Sequence, residues 1–436
     1  MLFAEKTLVY NRSIRKHEAG VYSPPQKGGA RQTMIDVLVL ADDVTGALDA
    51  GVKFSAAGRK TKVSLLPTID ADGSKESVLV LCVPTRHEPA DEAYRRVYAL
   101  AQRAAELGIG CIFKKTDSAL RGNIGAELAA VLDGSGSSEL FFIPALPAMN
   151  RVTINGIHYI DGVPVNESVF GRDPFEPVTE SYIPALLEKQ LPSPTEVFTG
   201  ATPPAPVNSG KRLTVLDCET QEAMEKTVRS LREEGRLHAV AGCSGLAEAL
   251  ASVLGEGAEA PERPAAEKQL TVVCGSVNPI SLGQVEYASH CGFDTVHVPV
   301  EQLLACGPES REFADFLDEL WAQCGASDKL LIDTGVVGSA DIGGGTSPEE
   351  LGRRVAALLG AILKDLFDRG VRTRLMIIGG DTLLGFMDAI GCRELTPLRE
   401  VLPGVVEAGF TYRGELHSVL SKSGGFGQED ILLKLE

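Results

Sequence analysis

The stretch Lys114-Lys115-Thr116-Asp117-Ser118-Ala119-Leu120-Arg121-Gly122-Asn123-Ile124-Gly125 decides how this chain is read. It follows Gly110-Cys111-Ile112-Phe113, an apolar run that predicts a buried strand, and precedes Ala126-Glu127-Leu128-Ala129-Ala130-Val131-Leu132, which has helical character. A strand that enters a helix through a polar turn is where open α/β sheets place their ligand crevices. This turn carries three cations (Lys114, Lys115, Arg121), the carboxylate of Asp117, the hydroxyl of Ser118 and the amide of Asn123. Such a set suits a small hydroxylated anion, with Lys and Arg for its charge and Asp and Ser for its hydroxyls. A polar loop in which Asp117 or Asn123 merely caps a helix is the alternative.

Outward from this turn the same rhythm repeats. Ile35 to Leu40 predicts a strand ending in Ala41-Asp42-Asp43-Val44-Thr45-Gly46-Ala47, followed by an amphipathic helix to about Gly58. Strands are expected at 61–66, 78–83, 139–143, 213–216 and 237–241, with helices over 90–107, 123–133, 219–234 and from Gly245. Alternation at this spacing means βαβ units and a mainly parallel sheet. Residues 144–185 interrupt it with a Pro- and Gly-rich insertion carrying two short strands around Gly162. A long irregular insertion of this kind is usually functional or disordered, and its aromatic and charged residues favour the former. Gly255 to Gln269 loses all apolar periodicity and reads as a linker. A second α/β unit begins at Leu270, with strands near 293–298, 328–333 and 374–378, a long helix at 348–369 and a terminal hairpin over 409–427. The fold class is therefore α/β, with two domains of mainly parallel sheet and a site expected in the cleft between them.

The composition bounds the function. A chain of 436 residues is long enough for two cores, and 44% hydrophobic residues exclude a disordered protein. No apolar run approaches the roughly 20 residues of a membrane span. Nine cysteines without C-x-x-C spacing point to a reducing, cytoplasmic setting. The first 33 residues have cations but no hydrophobic segment after them, and Met34 directly precedes the first strand. They are expected to be an extension outside the fold, not a signal peptide. A formal net charge of −17 argues against nucleic acid or an anionic membrane as partner. It also makes Arg86, Lys114, Lys115 and Arg121 more telling, because an anionic ligand needs local positive charge.

Other stretches carry chemistry. Asp42 and Asp43 close the first strand, where α/β enzymes place metal ligands, general bases or hydroxyl acceptors; helix capping by Asp43 or Thr45 is the alternative. In the second unit, Gly275-Ser276 follows a strand and precedes Asn278-Pro279. Met376-Ile377-Ile378-Gly379-Gly380-Asp381-Thr382 brings a strand into a Gly-Gly turn with carboxylate and hydroxyl at a helix start, apt for a nucleotide phosphate and its Mg²⁺. Ser423 to Gly427 would complete a phosphate rim if it folds beside the other two. Asp333-Thr334 is a further nucleotide contact or a plain strand end. His158 and Asp161 are read as solvated loop residues that could touch substrate. There is no Walker A sequence, no G-x-G-x-x-G after a strand, no H-E-x-x-H and no G-x-S-x-G.

Together these motifs resemble the four-carbon acid sugar kinases, a two-domain family that includes D-threonate, D-erythronate and 3-oxo-tetronate kinases. The resemblance spans Ile35 to Gly427. It rests on Ala41 to Ala47, Lys115 to Ser118 with Arg121 to Gly125, Pro144-Ala145, Asn150-Arg151, Asp161 to Pro164, Asp173-Pro174, Gly245 to Ala247, Gly275-Ser276, Gly379 to Thr382 and Lys422 to Gly427. It implies a sugar-acid-binding domain over 34–254, a linker at 255–269 and a nucleotide-binding domain over 270–436. Carried over by position, Asp43, Arg86, Lys115, Thr116, Asp117 and Ser118 would contact substrate, with Asp43 also accepting the proton. Ser276, Gly379, Gly380, Asp381, Thr382 and Gly425 would contact ATP, with Mg²⁺ on ligands the sequence does not specify. One departure stands out: Pro84-Thr85-Arg86 replaces the family's Asp-Ser-Arg-like strand end.

The function implied is ATP-dependent phosphorylation of the terminal C4 hydroxyl of a sugar acid, with closure about the linker bringing the two ligands together. An NAD-dependent sugar-acid dehydrogenase and a non-catalytic sensor of sugar acid and nucleotide are the alternatives. A homodimer is left open.

Overall fold

The computed structural model describes residues 35–70, 75–173, 176–192, 195–255, 257, 261–265, 267–335 and 347–435. The extension expected over residues 1–33 lies outside them. In chain order the first half contains β1 (Val37–Ala41), α1 (Val44–Ala56), β2 (Thr61–Ser64), β3 (Val78–Cys82), α2 (Ala90–Glu106), β4 (Cys111–Lys115), α3 (Ile124–Gly134) and β5 (Glu139–Ile143). The insertion supplies β6 (Arg151–Ile154), β7 (Ile157–Ile160) and β8 (Val163–Pro164), a small antiparallel sheet. Then come α4 (Ile183–Gln190), β9 (Glu196–Gly200), β10 (Arg212–Leu216), α5 (Gln221–Glu233), β11 (Ala239–Gly242) and α6 (Ser244–Leu254). The second half contains β12 (Leu270–Cys274), α7 (Pro279–Ser289), β13 (Asp294–His297), α8 (Val300–Cys306), α9 (Arg311–Ala326), β14 (Lys329–Asp333) and α10 (Pro348–Asp368). It ends with β15 (Arg374–Ile378), α11 (Gly380–Ala389), β16 (Glu394–Leu402), β17 (Val405–Tyr412) and β18 (Glu415–Lys422).

The α/β expectation holds. The first-half strands run parallel in the order β2-β3-β1-β4-β11-β5-β10-β9. β1 reads Val-Leu-Val-Leu-Ala because both of its faces are covered, so there is no polar side to alternate with. Val37, Val39 and Ala41 pack on one face, and Leu38 and Leu40 on the other. Helices follow from the same economy. α2 carries Asp91 and Glu92 in its first turn, where they favour the helix dipole, and buries the stripe Ala93, Val97, Leu100, Ala101 and Ala104.

Register matters most for the site. Ala41 stands level with Cys82 and Lys115, so the loops leaving β1, β3 and β4 emerge together. In the second half Cys274, Ile378, Asp333 and Lys422 are level in the same way. That parallel register brings the three glycine-rich turns to one edge.

Of the elements absent from the sequence reading, β16 matters most for the architecture. Through it the two halves share one 15-stranded sheet, because β16 pairs antiparallel with β2 at Glu394↔Ser64 and Leu395↔Val63. The β16-β17-β18 meander extends the terminal hairpin, which begins at Val405 and not near Gly409. Charged residues and Pro397 concealed β16 from the pattern, and the register shifts beside Pro397. Val37, Ala47 and Val63 belong to the same hydrophobic cluster as Leu395, Val406 and Ala408.

Candidate active site

A cleft enclosing about 460 Å³, part of it open to solvent, is lined from both halves of the chain. The first half supplies Asp43, Thr45, Gly46, Asp49, Arg86, Lys115, Asp117 and Ser118, and the second supplies Gly404, Val406, Ser421, Ser423 and Phe426. The cationic turn and the last glycine-rich loop therefore face each other across it.

Strand alternation sorts the two lysines of β4. Lys115 turns to the cleft, where its Nζ donates to the Thr116 carbonyl at 2.9 Å. Lys114 turns the other way and is 1% exposed, paired with Glu127 at 3.1 Å. It is thus a buried counterion and not a cleft cation, which corrects the grouping of the two lysines. Thr116 is also buried and does not line the cleft.

Arg86 is held by three carboxylates. Its Nε donates to Asp42 at 2.7 Å, its Nη1 lies 3.0 Å from Asp43, and its Nη2 is 3.9 Å from Asp117. Asp42 is buried and does not line the cleft. Burial raises its proton affinity, but Arg86, Lys114 and Lys115 overcome that and leave its carboxyl below the usual range. Asp43 caps α1: Oδ1 accepts from the Gly46 amide at 2.7 Å and Oδ2 from the Thr45 hydroxyl at 2.8 Å. The capping alternative is therefore realised, although the same carboxylate also lines the cleft. Gly46 is needed here, because a Cβ on it would stand 2.5 Å from Asp43 Oδ1 and 3.1 Å from Lys115 Nζ.

Asp117 forms a fork with Arg121 at 3.0 and 2.9 Å, and it accepts from the amides of Ala119 and Arg121. Burial works against the charged form, but Arg121 and Arg86 hold the carboxyl well below its ordinary range. The turn bends back through Leu120 at φ +65°, a backbone shape costing a side chain on the order of 1 kcal/mol. Asn123 stands at the start of α3 without capping it. Its amide instead donates to the Thr85 and Glu88 carbonyls at 2.9 and 2.8 Å. At the departure from the family pattern, Thr85 is fully buried and its hydroxyl is bonded to Glu127.

The insertion braces this turn from behind. His158 is fully buried, which corrects its reading as a solvated loop residue. Its Nε2 donates to the Ser118 carbonyl at 3.0 Å, so its Nδ1 accepts from Thr153 at 3.1 Å, and burial pushes its pKa down to about 4. Asp161 is exposed at the β7-β8 turn, as a loop residue should be.

In the second half the three glycine turns converge. Gly379 adopts φ +112°, closed to side chains, and its amide donates to the Lys422 carbonyl at 3.1 Å. A Cβ on Gly275 would meet Thr382 Oγ1 at 2.3 Å, and one on Gly424 would meet Ser276 Oγ at 2.7 Å. Ser276, Gly379, Thr382 and the 424–425 loop are thus neighbours, and Gly425 also approaches Phe170 and Asn278. α11 starts at Gly379 with no side-chain cap, whereas Asn278 caps α7. Open first-turn amides over a glycine turn fit a phosphate group. Asp381 is exposed there and Thr382 is buried. Asp333 closes β14 and is occupied, accepting from the Gly335 amide at 2.8 Å and pairing with His297 at 2.8 Å. Among the described residues no cluster of three or more His, Cys, Asp or Glu is arranged around a metal. Mg²⁺ usually rides on nucleotide phosphates with only one or two protein carboxylates, so the residues present fit it in that form.

Four residues escaped the sequence reading. Asp49 and Lys53 are the charged positions of an otherwise apolar α1, four apart, and that spacing was the available signal. Arg151 and Phe426 appeared only inside longer motifs, with nothing in either to announce contact between them.

Two family models, one for each half, together match most of the chain. Residues 37–250 match the sugar-binding N-terminal domain model, and residues 271–432 match the nucleotide-binding C-terminal domain model. A D-threonate kinase of Salmonella typhimurium is 28% identical over 421 residues, 91% of this chain and 96% of that one. A D-erythronate kinase of Heliobacterium modesticaldum is 28% identical (91% and 95% covered), and a 3-oxo-tetronate kinase of Methylobacterium radiotolerans is 26% identical (90% and 96%). Crystal structures from Salmonella typhimurium LT2 and Haemophilus influenzae share the fold, with TM-scores of 0.71 and 0.64 at 24% and 22% identity. They cover 92% and 91% of this chain and 98% of each of their own. The chain belongs to the four-carbon acid sugar kinase family.

Proposed function

We propose that this protein transfers the terminal phosphoryl group of ATP to the C4 hydroxyl of a four-carbon sugar acid. The observation that carries the reading is the single cleft in which the Arg86/Lys115/Asp117/Ser118 wall faces the Ser421–Phe426 wall. Relatives named as kinases of D-threonate, D-erythronate and 3-oxo-tetronate support the substrate class.

Lys115 takes the acid's carboxylate. It spends one donor on Thr116, while Arg86 is already surrounded by acids and serves to keep the carboxylates of Asp42 and Asp43 in place. Asp117 and Ser118 read hydroxyls from a turn that Arg121, Arg151 and His158 hold still. Ser276, Gly379 to Thr382 and Gly425 receive the nucleotide. ATP supplies the phosphoryl group, and Mg²⁺ offsets the charge on its oxygens. The chain's own contribution is alignment, worth several orders of magnitude in rate.

Two carboxylates of α1 compete to accept the hydroxyl proton. Both oxygens of Asp43 are engaged by cap donors and Arg86, which suits positioning. Asp49 lines the same wall, and burial raises its carboxyl above the usual range against the opposing pull of Lys115, Ser244 and Lys53. A raised carboxyl is the better base near neutrality, and this favours Asp49. Asp49→Asn is expected to cut kcat about 100-fold or more with KM nearly unchanged, whereas Asp43→Asn raises KM as well. The opposite pattern returns the role to Asp43. The reaction itself is tested by ADP release with D-threonate, D-erythronate and 3-oxo-tetronates, with phosphorus NMR locating the new ester at C4. Absence of turnover on all of them would sink the reading.

A further inference from the structure

Four side chains form a continuous stack from the substrate turn to the glycine-rich loop. Arg121, forked onto Asp117, lies 5.3 Å from the Phe170 ring centroid. Phe170 also lies against the guanidinium of Arg151, 5.1 Å from ring centroid to Cζ, and that guanidinium lies 5.0 Å from the ring centroid of Phe426. Arg151 is 4% exposed and its Nη1 donates to the Ser118 hydroxyl. Its Nε is buried without a hydrogen-bond partner among the described residues. Phe426 belongs to the loop that faces Ser276 across Gly424, and its carbonyl is fixed by Gln284 Nε2 and Lys422 Nζ, each at 2.9 Å.

Arg151 comes from β6, in the insertion that interrupts the first half, and Phe426 from the end of the second. A guanidinium buried against two rings, with no carboxylate of the described residues in ion-pair contact, is costly unless both rings are in place. Its contact with Phe426 therefore depends on where the glycine-rich loop sits. Its bond to Ser118 depends on where the hydroxyl-reading turn sits. A shift on either side is felt on the other.

We infer that Arg151 is a positioning residue that couples the two ligand sites, so that sugar acid and nucleotide bind with positive cooperativity through the Ser118–Arg151–Phe426 contacts. The inference rests on the reading above, in which the first half takes the sugar acid and the second half the nucleotide. By linkage the factor is reciprocal: each ligand tightens the other equally.

The test is calorimetric titration of the full chain with a non-hydrolysable ATP analogue, with and without saturating D-threonate or D-erythronate, and then in the reverse order. Wild type is expected to show at least about a fivefold tightening, the same in both orders. Arg151→Met and Phe426→Leu should each bring the factor close to one, measured against that variant's own affinity for either ligand alone. Arg151→Lys, which keeps the cation, should restore part of it. Phe426→Leu lies on a half-exposed loop and serves if the Arg151 variant does not fold. A wild-type factor of one with both ligands bound overturns the coupling and leaves the proposed function standing. A full factor in Arg151→Met overturns it too. Wild type that binds neither ligand overturns the proposed function and the coupling with it.

Discussion

At the scale of single residues, the consequential fact is that neighbouring side chains of one type have different work. Lys114 and Lys115 are adjacent in sequence and face opposite sides of β4, one paired to buried Glu127 and the other in the cleft. Gly46 lets Lys115 approach α1, so Gly46→Ala should raise KM for the sugar acid tenfold or more. Its effect on melting should be small, because the helix-propensity gain of up to about 1 kcal/mol offsets part of the crowding. Steady-state kinetics beside a thermal melt checks this, and an unchanged KM would remove Lys115 from the substrate site. His158 gives a pH signature. In the unfolded chain it binds a proton near pH 6.5, but in the fold only near pH 4. Between those values the unfolded state holds the extra proton, so stability falls as pH drops from 6.5 toward 4, by at most about 1.4 kcal/mol per unit. Urea midpoints at pH 7 and pH 5 should show this loss, and His158→Gln should flatten it. An equal slope in the variant would mean that other groups carry it. The sorting of the two lysines was missed because the strand was read as ending at Phe113 whereas β4 runs to Lys115, and the burial of His158 was missed because a loop sequence does not reveal what packs over it.

At the scale of elements, two helix starts and one loop carry the site. α1 begins at a carboxylate cap and α11 at a bare glycine, and they abut where a Cβ on Gly380 would lie 3.3 Å from Val44. The strand-turn-helix units were readable because parallel strands buried on both faces give unbroken apolar runs. β16 was not, since Glu394, Arg399, Glu400 and Pro397 disguise it and its place is fixed by β2, far away in sequence. The loop after β18 was legible as glycine-rich, but its support was hidden. Lys422 is fully buried beneath it, donating to the Ser423 and Phe426 carbonyls at 2.9 Å each, and burial lowers its pKa to about 8. Lys422→Met removes two hydrogen bonds worth about 1 kcal/mol each, but it also removes the burial cost of the ammonium. Nucleotide affinity should fall about tenfold or more while the melting temperature at pH 7 holds or rises. A large drop in melting temperature with nucleotide affinity intact would make Lys422 a structural residue only.

At the scale of the whole molecule, the sequence implies two bodies joined by the 255–269 linker, and the structure adds further joints. β2 pairs with β16, the Ser55 hydroxyl donates to the Pro397 carbonyl at 2.7 Å, and Lys53 reaches Glu400 at 2.6 Å. The Cβ position of Gly51 lies 2.9 Å from Pro397 Cγ, so α1 packs against β16 as closely as its own glycine permits. Any closing motion therefore has to bend the sheet at two residue pairs, and it cannot simply swing about the linker. Thermodynamically, ties of this kind through a shared core should make the halves unfold together. The only tryptophan, Trp321, sits on α9 in the second half and reports on that half alone, whereas far-UV circular dichroism reports on both. The two probes should give one coincident urea transition. A sugar acid at a hundred times its dissociation constant stabilises the half it binds by about 2.7 kcal/mol, and cooperative unfolding carries that to Trp321. D-threonate or D-erythronate, whichever the enzyme binds, should then move the fluorescence midpoint as far as the dichroism midpoint, although its expected contacts are in the first half. If the dichroism curve splits and Trp321 ignores the ligand, the halves are independent, and the continuous sheet is a packing arrangement with no energetic consequence for catalysis.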